Sequence, residues 1–422
     1  MDEQQLREAV RALLRRNTRD GYSPLLRRHF CYIAPAPPKP YPFQWFWDTC
    51  FHVIMLARLG ECELAQRNLR SLFAMQEEDG FVGHMIFWRQ ALPLRRSDVM
   101  QARPRWRALR PHMSALIQPC LAAMALLCLF EASGDRVFLG ELYAKVRRYH
   151  EWLATHRDFD GDGLITIISP FESGMDWKPS YDPVLGYEQR RTARHLFASS
   201  LYWRAVAVDA SNFIARYDLP RIRQRARFLV KDAGVNAIYA SDLAAMEKLA
   251  RLVGDDAERF AQRRRRVVDS MLALMYDEEH AAFYDVQEPG SRKIRIATPT
   301  IFFPLAAPEV PQEIAQRVLD AHFAREDQFG TPCPLPSVER RDAAFYAGET
   351  PYIWRGATWA VNNWFLFYAL KARGFDAQAD LLRRSLHGLI ERGGFREYYD
   401  PYTGEGHGAH DFTWSGLLVD MV

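Results

Sequence analysis

Several signatures of common protein classes are missing from this sequence. None of its six cysteines forms a CxxC pair and no Cys/His spacing matches a zinc site, so we expect no metal and no cofactor. A glycine-rich phosphate loop, a serine-hydrolase signature and a zincin motif are also absent. The Asp158-Phe159-Asp160-Gly161-Asp162 run begins like a calcium loop but lacks the glutamate at the twelfth position, and it predicts a tight turn.

Targeting signals, long apolar segments and an excess of charge are equally lacking. No basic region is followed by an apolar run at the N-terminus, so we expect no signal peptide, and unpaired cysteines suit a cytoplasmic protein. Residues 114–132 are the most apolar stretch but contain Gln118, Pro119 and Glu131, which predicts a buried helix and no membrane contact. The net charge of +3 is too balanced for a non-specific nucleic-acid binder. A homo-oligomer is left open.

Apolar and amphipathic helices alternate along the chain. An apolar helix precedes an amphipathic one at 45–59 and 61–76, at 114–132 and 136–156, and at 356–373 and 375–391. An inner and an outer ring of helices would produce this alternation. The sequence therefore predicts an all-α fold, an (α/α)6 barrel with short β-hairpin or strand insertions in its loops. No linker divides the chain, which predicts one domain over residues 1–422 with an Arg-rich loop or lid insertion at 77–113.

The segment from Phe171 to Trp177 is the first candidate catalytic loop. Prolines on both sides exclude a helix interior, and loops on a rigid scaffold often carry catalytic groups. A general acid needs a raised pKa, which the apolar neighbours of Asp176 or the carboxylate of Glu172 would provide. The alternative is a polar loop with a structural aspartate.

A second carboxylate lies in a short aromatic strand near the C-terminus. Glu397 precedes two tyrosines, and an ionised glutamate there would suit a general base that activates water. Glu405, in a flexible Gly-rich segment, is the rival candidate. We therefore predict that Asp176 and Glu397 are the two carboxylates of a glycosidase.

Other polar and aromatic residues predict a sugar-binding surface. Trp45, Trp47 and Asp48 combine indole rings, which cover the apolar face of a sugar, with a carboxylate that accepts hydroxyl hydrogen bonds; the alternative is a helix-capping Asp beside core tryptophans. Trp354 and Arg355 would line a subsite or serve only in loop packing. His84 is a sugar ligand or structural, and Gln118 is a buried amide that needs a partner in substrate or backbone.

Taken together, these motifs resemble glycoside hydrolase family 63, especially its short bacterial members that hydrolyse mannosylglycerate and glucosylglycerate. The resemblance rests on Trp45-Phe46-Trp47-Asp48, Gln118-Pro119, Glu172-Ser173-Gly174-Met175-Asp176, Trp354-Arg355-Gly356, Glu397-Tyr398-Tyr399-Asp400-Pro401 and Thr413-Trp414-Ser415. It implies an (α/α)6 barrel and an inverting α-glycosidase without cofactors, acting on a small glucoside or mannoside, including one with an anionic aglycone such as glycerate. Asp176 would be the general acid and Glu397 the general base. The sugar-subsite positions of the family fall on Trp45, Trp47, Asp48, His84 and Trp354, and Gln118 falls nearer the aglycone.

Departures from the family pattern concern the substrate. Trp177-Lys178-Pro179 stands where the family usually has Asn-Ser-Pro, beside the acid, and Cys120 replaces a second proline. The Arg-rich residues 89–110 would form a lid over an anionic aglycone or a solvated surface loop. Two other functions fit the same barrel: a sugar epimerase or biosynthetic cyclase, and a non-catalytic sugar-binding protein.

Overall fold

The computed structural model describes residues 1–37, 41–89, 112–188 and 199–422, and most of their regular structure is helical. The α-helices of these residues are α1 Glu3–Asn17, α2 Phe46–Leu59, α3 Cys62–Phe73, α4 Ala122–Ser133, α5 Arg136–His156, α6 Ser199–Ile214, α7 Leu219–Arg225, α8 Ala233–Val253, α9 Glu258–Ser270, α10 Gln312–His322, α11 Ala360–Ala372 and α12 Asp376–Gly393. Short 3-10 helices occur at Pro170–Glu172, Phe303–Ala306 and Thr413–Asp420, among other places.

The apolar helices contact one another in turn and close a ring. Helix α2 packs against α4, α4 against α8, α8 against Phe303–Ala306, that segment against α11, α11 against Thr413–Asp420, and Thr413–Asp420 against α2. The helices α3, α5, α9 and α12 each pack against the ring helix that precedes them in the chain. These contacts are consistent with a fold of the α/α-barrel type.

Helix α2 shows why an apolar sequence takes the inner position. Every residue of Phe46–Leu59 except Arg58 is buried, so the helix has no face left for solvent. It ends at Gly60, whose φ of 78° is the left-handed conformation that commonly terminates a helix. Its partner α3 has a strongly amphipathic sequence and buries only one side. The burial of these two helices agrees with the predicted alternation of apolar and amphipathic helices.

Short antiparallel strands decorate the loops between helices. The pairs are β1 Thr18–Ser23 with β2 Arg28–Ile33, β3 Gln44–Trp45 with β4 Met85–Ile86, β5 Thr166–Ile167 with β6 Val230–Lys231, β7 Tyr276–Asp277 with β8 Ala282–Phe283, β9 Asp285–Gln287 with β6 and with β10 Arg292–Ile294, and β11 Arg396–Tyr399 with β12 Gly406–His410. The predicted strand insertions are confirmed, and β3, β4 and β11 position residues discussed below.

Several sequence-based boundaries were wrong. The predicted helix over 114–132 begins only at Ala122, because Pro119 and the loop contacts of the preceding residues keep that part extended. The β1–β2 hairpin, between Thr18 and Ile33, was not predicted from the sequence. Residues 90–111 lie outside the described residues, so the predicted Arg-rich loop or lid at 77–113 stays a prediction.

The two ends of the chain lie side by side. Helix α1 contacts the 3-10 helix Thr413–Asp420, and the backbone N–H of Thr413 donates a 2.8 Å hydrogen bond to the carbonyl of Pro35. Arg16 of α1 pairs with Asp411 at 2.9 Å. Helix α1 therefore packs against the last segment of the ring.

All six cysteines carry free thiols. Among the described residues, no helix combines the length and the apolar character needed to cross a lipid bilayer.

Candidate active site

One cavity of about 370 Å³ brings most of the predicted site residues together. This volume lies within the range usual for small-molecule sites. Among the described residues, its lining consists of Pro35, Tyr41, Phe43, Trp45, Trp47, Asp48, His84, Gln118, Phe171, Gly174, Asp176, Trp177, Tyr202, Ile353, Trp354, Trp359, Glu397, Phe412 and Trp414. Of the ten predicted residues, only Arg355 is not part of it.

The start of α2 contributes an aspartate and two indoles. Trp45 precedes the helix without capping it through its side chain, and Asp48 lies in the first turn. Asp48 accepts a 2.7 Å hydrogen bond from the Nε1 of Trp414. Burial raises the pKa of Asp48 to about 7. Its remaining oxygen lone pairs face a cavity in which a sugar hydroxyl could reach them.

Trp47 forms the floor beneath the predicted acid loop. A β-carbon placed on Gly174 would lie 2.2 Å from Cζ2 of Trp47, and Gly174 adopts a φ of +71°. Only glycine allows this close approach and this backbone conformation together. The backbone N–H of Trp47 donates to Oε1 of Gln118 at 3.0 Å, so the buried amide has a backbone partner and also lines the cavity.

His84 lies beside Trp45, with ring centroids 5.4 Å apart. Its Nδ1 is 2.5 Å from the hydroxyl oxygen of Ser114, and its backbone N–H donates to the carbonyl of Leu116 at 2.8 Å. Burial lowers the pKa of His84 to about 3, so the ring is neutral at physiological pH. A neutral ring with one nitrogen engaged can still offer the other nitrogen to a sugar hydroxyl.

Glu172 anchors the acid loop and is not exposed to the cavity. Its carboxylate pairs with both terminal nitrogens of Arg157, one of them at 2.8 Å. The backbone N–H groups of Ile117 and Ile168 donate to the same carboxylate at 2.9 and 2.8 Å. The suggestion that Glu172 provides the negative charge beside Asp176 was therefore wrong, because Arg157 neutralises it.

Asp176 has the environment of a carboxylic acid. Its pKa is raised to about 7, chiefly by burial and then by the negative charges of Asp209 and Glu397. Asp209 lies on α6 and accepts a 2.7 Å hydrogen bond from the hydroxyl of Ser169, which caps the 3-10 helix before the acid loop. A carboxyl group with this pKa carries its proton for a large share of the time at neutral pH.

Glu397 is held in a defined orientation at the opposite end of the sequence. The register of β11 against β12 is irregular around it, and such bulges re-aim side chains next to functional sites. The hydroxyl of Tyr41 donates to Oε1 at 2.5 Å and the N–H of Ala409 donates to Oε2 at 2.8 Å. Burial raises the pKa of Glu397, and the two hydrogen bonds oppose this shift. Glu405, the rival, is exposed and does not line the cavity.

Trp354 and Arg355 separate into two roles. Trp354 lines the cavity in a strained backbone conformation with φ of +71°, stacked on Trp359 at 3.7 Å between ring centroids. Arg355 forms a buried bidentate ion pair with Asp182, with N–O distances of 2.8 and 2.6 Å. Arg355 therefore supports the loop behind the cavity, which is the packing alternative.

Several lining residues escaped the sequence reasoning. Four lining residues come close to the site only through the tertiary fold: Tyr41, Tyr202, Phe412 and Trp359. Asp209 belongs to this group as well, because nothing in its local sequence points to the acid loop. The sequence indicates Trp414 only as part of a family motif. Its hydrogen bond joins it to Asp48, which is 366 residues away in the sequence. No local spacing signal could have assigned these roles.

Two groups of described residues bring metal-type ligand atoms together, and neither lines the cavity. They are Cys120, His150 and Asp242, which are buried, and Asp277, Glu279 and His280. Oδ2 of Asp242 already accepts hydrogen bonds from the Cys120 thiol at 3.0 Å and the Ala123 N–H at 3.2 Å. The expectation of no metal or cofactor stays a prediction.

The aspartate turn before the acid loop takes a lysine where a calcium loop would hold its ion. The Nζ of Lys231 lies 2.8 Å from Asp160 and 2.6 Å from Asp162. Asp158 accepts a 3.0 Å hydrogen bond from the N–H of Gly163. The prediction of a tight turn is confirmed.

Comparison with known proteins places this geometry in a family. Residues 41–415 match the model of the mannosylglycerate hydrolase MGH1-like glycoside hydrolase domain. The chain belongs to this family. Mannosylglycerate hydrolases of Rubrobacter radiotolerans and Thermus thermophilus are 28% and 30% identical to it, over 93% of both chains in the first comparison and over 90% of this chain and 94% of the relative in the second. The crystal structure of a family 63 mannosylglycerate hydrolase from Thermus thermophilus in complex with Tris superposes with a TM-score of 0.85 at 29% identity and 99% coverage of both chains.

The resemblance to glycoside hydrolase family 63 is thereby confirmed, and the protein is a glycoside hydrolase. The matched MGH1-like segment contains every described cavity residue except Pro35.

Proposed function

We propose that the protein is an inverting α-glycosidase with an (α/α)6 barrel and a single domain, acting on a small α-glucoside or α-mannoside. Asp176 is the general acid and Glu397 the general base. The observation that carries the proposal is the meeting of these two carboxyl groups in one aromatic cavity. The relatives named as mannosylglycerate hydrolases make glycerate conjugates the first substrates to test.

The two carboxyl groups suit opposite proton transfers. Protonated Asp176 gives its proton to the glycosidic oxygen as the bond to the leaving group breaks. Ionised Glu397, oriented by Tyr41, takes a proton from a water that attacks the anomeric carbon from the opposite face. Trp47, Asp48 and Trp354 hold the sugar while this happens. An α-glycoside then yields the β anomer of the released sugar.

The product anomer provides the direct test. The protein is incubated with a panel of α-glucosides and α-mannosides that includes both glycerate conjugates, and the released sugar is followed by NMR before mutarotation. The β anomer is expected first. Initial release of the α anomer would contradict the inverting mechanism, and turnover of none of these substrates would contradict the proposed function.

Gly174→Ala is expected to lower kcat about 100-fold, because a misplacement of about 1 Å in a catalytic group can cost that much. The new methyl group would collide with Trp47 and displace the loop that carries Asp176. Gly134→Ala is the matched control, since Gly134 has a φ of +65° and a β-carbon added there would meet no atom within 4 Å. Equal losses in both variants, measured by steady-state kinetics, would refute the contact as the cause.

Asp209→Asn is expected to move the alkaline limb of the kcat/KM profile to lower pH. The substitution removes a negative charge that disfavours ionisation of Asp176, so the pKa of the acid falls. Asn keeps the shape of the side chain and can still accept the hydrogen bond from Ser169. The measurement is the pH dependence of kcat/KM for both proteins. An unchanged alkaline limb would show that the charge of Asp209 does not influence the pKa of Asp176.

A further inference from the structure

A buried lysine closes the turn that carries Asp176. The backbone N–H of Lys178 donates to the carbonyl of Met175 at 3.0 Å, so Asp176 lies inside a turn of four residues. The carbonyl of Lys178 accepts a 3.0 Å hydrogen bond from the N–H of Tyr181, within the 3-10 helix Pro179–Tyr181 that follows. The backbone of Lys178 therefore joins the turn that carries Asp176 to a second hydrogen-bonded turn.

Two buried carboxylates hold the side chain of Lys178. Its ammonium group pairs with Asp232 and, at 2.8 Å, with Asp285, and only 1% of the side chain is exposed. The hydroxyl of Tyr181 donates to Oδ2 of Asp232 at 2.5 Å, and that of Ser180 donates to Oδ2 of Asp285 at 2.6 Å. Three side chains of one short segment thus bind the same two carboxylates. The backbone between them has little freedom to move, because each of these contacts would have to break.

The two carboxylates belong to the helical scaffold and not to the acid loop. Asp232 caps helix α8, since its Oδ1 accepts a 2.8 Å hydrogen bond from the N–H of Val235. Asp285 lies in β9, and its Oδ1 accepts a 2.8 Å hydrogen bond from the N–H of Ala233, the first residue of α8. The positive end of the helix dipole stabilises both negative charges there. The acid loop is therefore attached to a ring helix two residues after Asp176.

Asp176 depends on this backbone for its direction. Among the described residues, no side chain forms a hydrogen bond with its carboxyl group, and the nearby carboxylates act on it through their charge. A general acid must point its proton at the glycosidic oxygen, and a misplacement of about 1 Å can cost about 100-fold in rate. Glu172 holds the loop before Asp176 through Arg157, and Lys178 holds it afterwards.

We propose that Lys178 is a positioning residue for the general acid. Its ammonium group, held between Asp232 and Asp285, fixes the turn that directs Asp176 into the cavity. Lys178 does not line the cavity, so it acts on the reaction through Asp176. This proposal rests on the proposed role of Asp176 and adds the means by which the fold holds that residue in place.

Lys178→Met tests the contact, because methionine has an unbranched side chain but no charge to bind the two carboxylates. We expect kcat for an unactivated α-glycoside to fall about 100-fold, with a much smaller change in KM. Hydrolysis of the matching α-glycosyl fluoride should stay near the wild-type value, because fluoride leaves without a proton from Asp176. A general distortion of the site would instead affect both substrates. Steady-state kinetics on the two substrates measures the difference.

Lys178→Arg is the conservative variant. A guanidinium group keeps the positive charge and can bind both carboxylates, so this variant should recover part of the glycoside activity that Lys178→Met loses. Tyr181→Phe keeps the ring 5.0 Å from the ammonium group but removes the hydrogen bond to Asp232. It should lose less glycoside activity and still spare the fluoride, and it provides the test if Lys178→Met does not fold.

Lys231→Met is the matched control. The side chain of Lys231 is only 2% exposed, and its ammonium group also pairs with carboxylates, those of Asp160, Asp162 and Glu288 at 2.8, 2.6 and 3.0 Å. None of these residues belongs to the acid loop or lines the cavity. The control should unfold at a lower temperature than the wild type, as Lys178→Met should, but keep the wild-type ratio of glycoside to fluoride activity.

The contrary results separate this proposal from the proposed function. Near-normal glycoside kcat in folded Lys178→Met, equal losses on glycoside and fluoride, or the same change of their ratio in Lys231→Met would overturn the positioning role. The proposed function survives each of these results if Asp176→Asn loses glycoside activity. Wild-type turnover of the glycoside by Asp176→Asn, or no turnover of any substrate by the wild type, would overturn the proposed function and the role of Lys178 with it.

Discussion

Replacing Asp176 by Asn is expected to lower kcat for an α-glycoside by about 10²- to 10⁴-fold, the usual contribution of a general acid. Asn has the size of Asp and can keep its contacts, but it has no acidic proton to give to the glycosidic oxygen. The loss should be largest for substrates whose leaving group is a poor one, such as a sugar. Steady-state kinetics on the best substrate of the panel measures it.

The same variant should retain much of its activity on the matching α-glycosyl fluoride. Fluoride leaves without a proton, so the step that Asp176 assists is no longer limiting. The protein should unfold at a temperature equal to or above that of the wild type, because a buried carboxyl group with a raised pKa is replaced by a neutral amide. Near-normal turnover of an unactivated glycoside by Asp176→Asn would remove this residue from the acid role.

Glu397→Gln should lower kcat by about 10²- to 10⁴-fold on glycosides and on glycosyl fluorides alike, so its effect is more general than that of Asp176→Asn. A water must be deprotonated whichever group leaves, and the amide of Gln cannot accept that proton. The amide oxygen of Gln can keep the hydrogen bond from the Ala409 N–H, and its nitrogen can donate to the Tyr41 hydroxyl, so the side chain keeps its position. Kinetics on the two substrate types therefore distinguishes the base from the acid.

Glu405→Gln is the control for the base. Glu405 lies eight residues further on, is exposed and is outside the cavity, so its replacement should leave kcat and KM at wild-type values. If Glu405→Gln lost activity and Glu397→Gln kept it, the two roles would be exchanged. Activity of Glu397→Gln on the fluoride alone would show that this residue acts on the leaving group.

Local patterns predicted the helices well where the pattern was complete. The predicted helices at 45–59, 136–156 and 375–391 agree within two residues with α2, α5 and α12. The prediction failed at 114–121, where an apolar run has helical composition but a proline and tertiary contacts decide the backbone. The β1–β2 hairpin was missed because β1 is mostly polar and shows no apolar alternation.

The site was predictable where chemistry and sequence neighbours coincide. Asp176 and Glu397 could be predicted because each is a carboxylate among aromatic residues in the sequence. The structure places both in one cavity. Arg355 could not be judged locally, since its role depends on Asp182, which is far away in sequence. Asp209 is similarly invisible, because its effect on Asp176 comes from the packing of α6 against the acid loop.

The pairing of the two ends of the chain has a consequence for biosynthesis. Tyr41 contacts Glu397, and Asp48 contacts Trp414, so the catalytic centre joins segments that are 356 and 366 residues apart in the chain and are translated at different times. Until the C-terminal region has left the ribosome, the helices made earlier lack their packing partners, and their apolar faces stay exposed to solvent. Such non-local contacts slow folding, and unfinished chains of this kind are prone to aggregate. A nascent chain stalled before residue 396 would therefore be inactive however long it was left to fold.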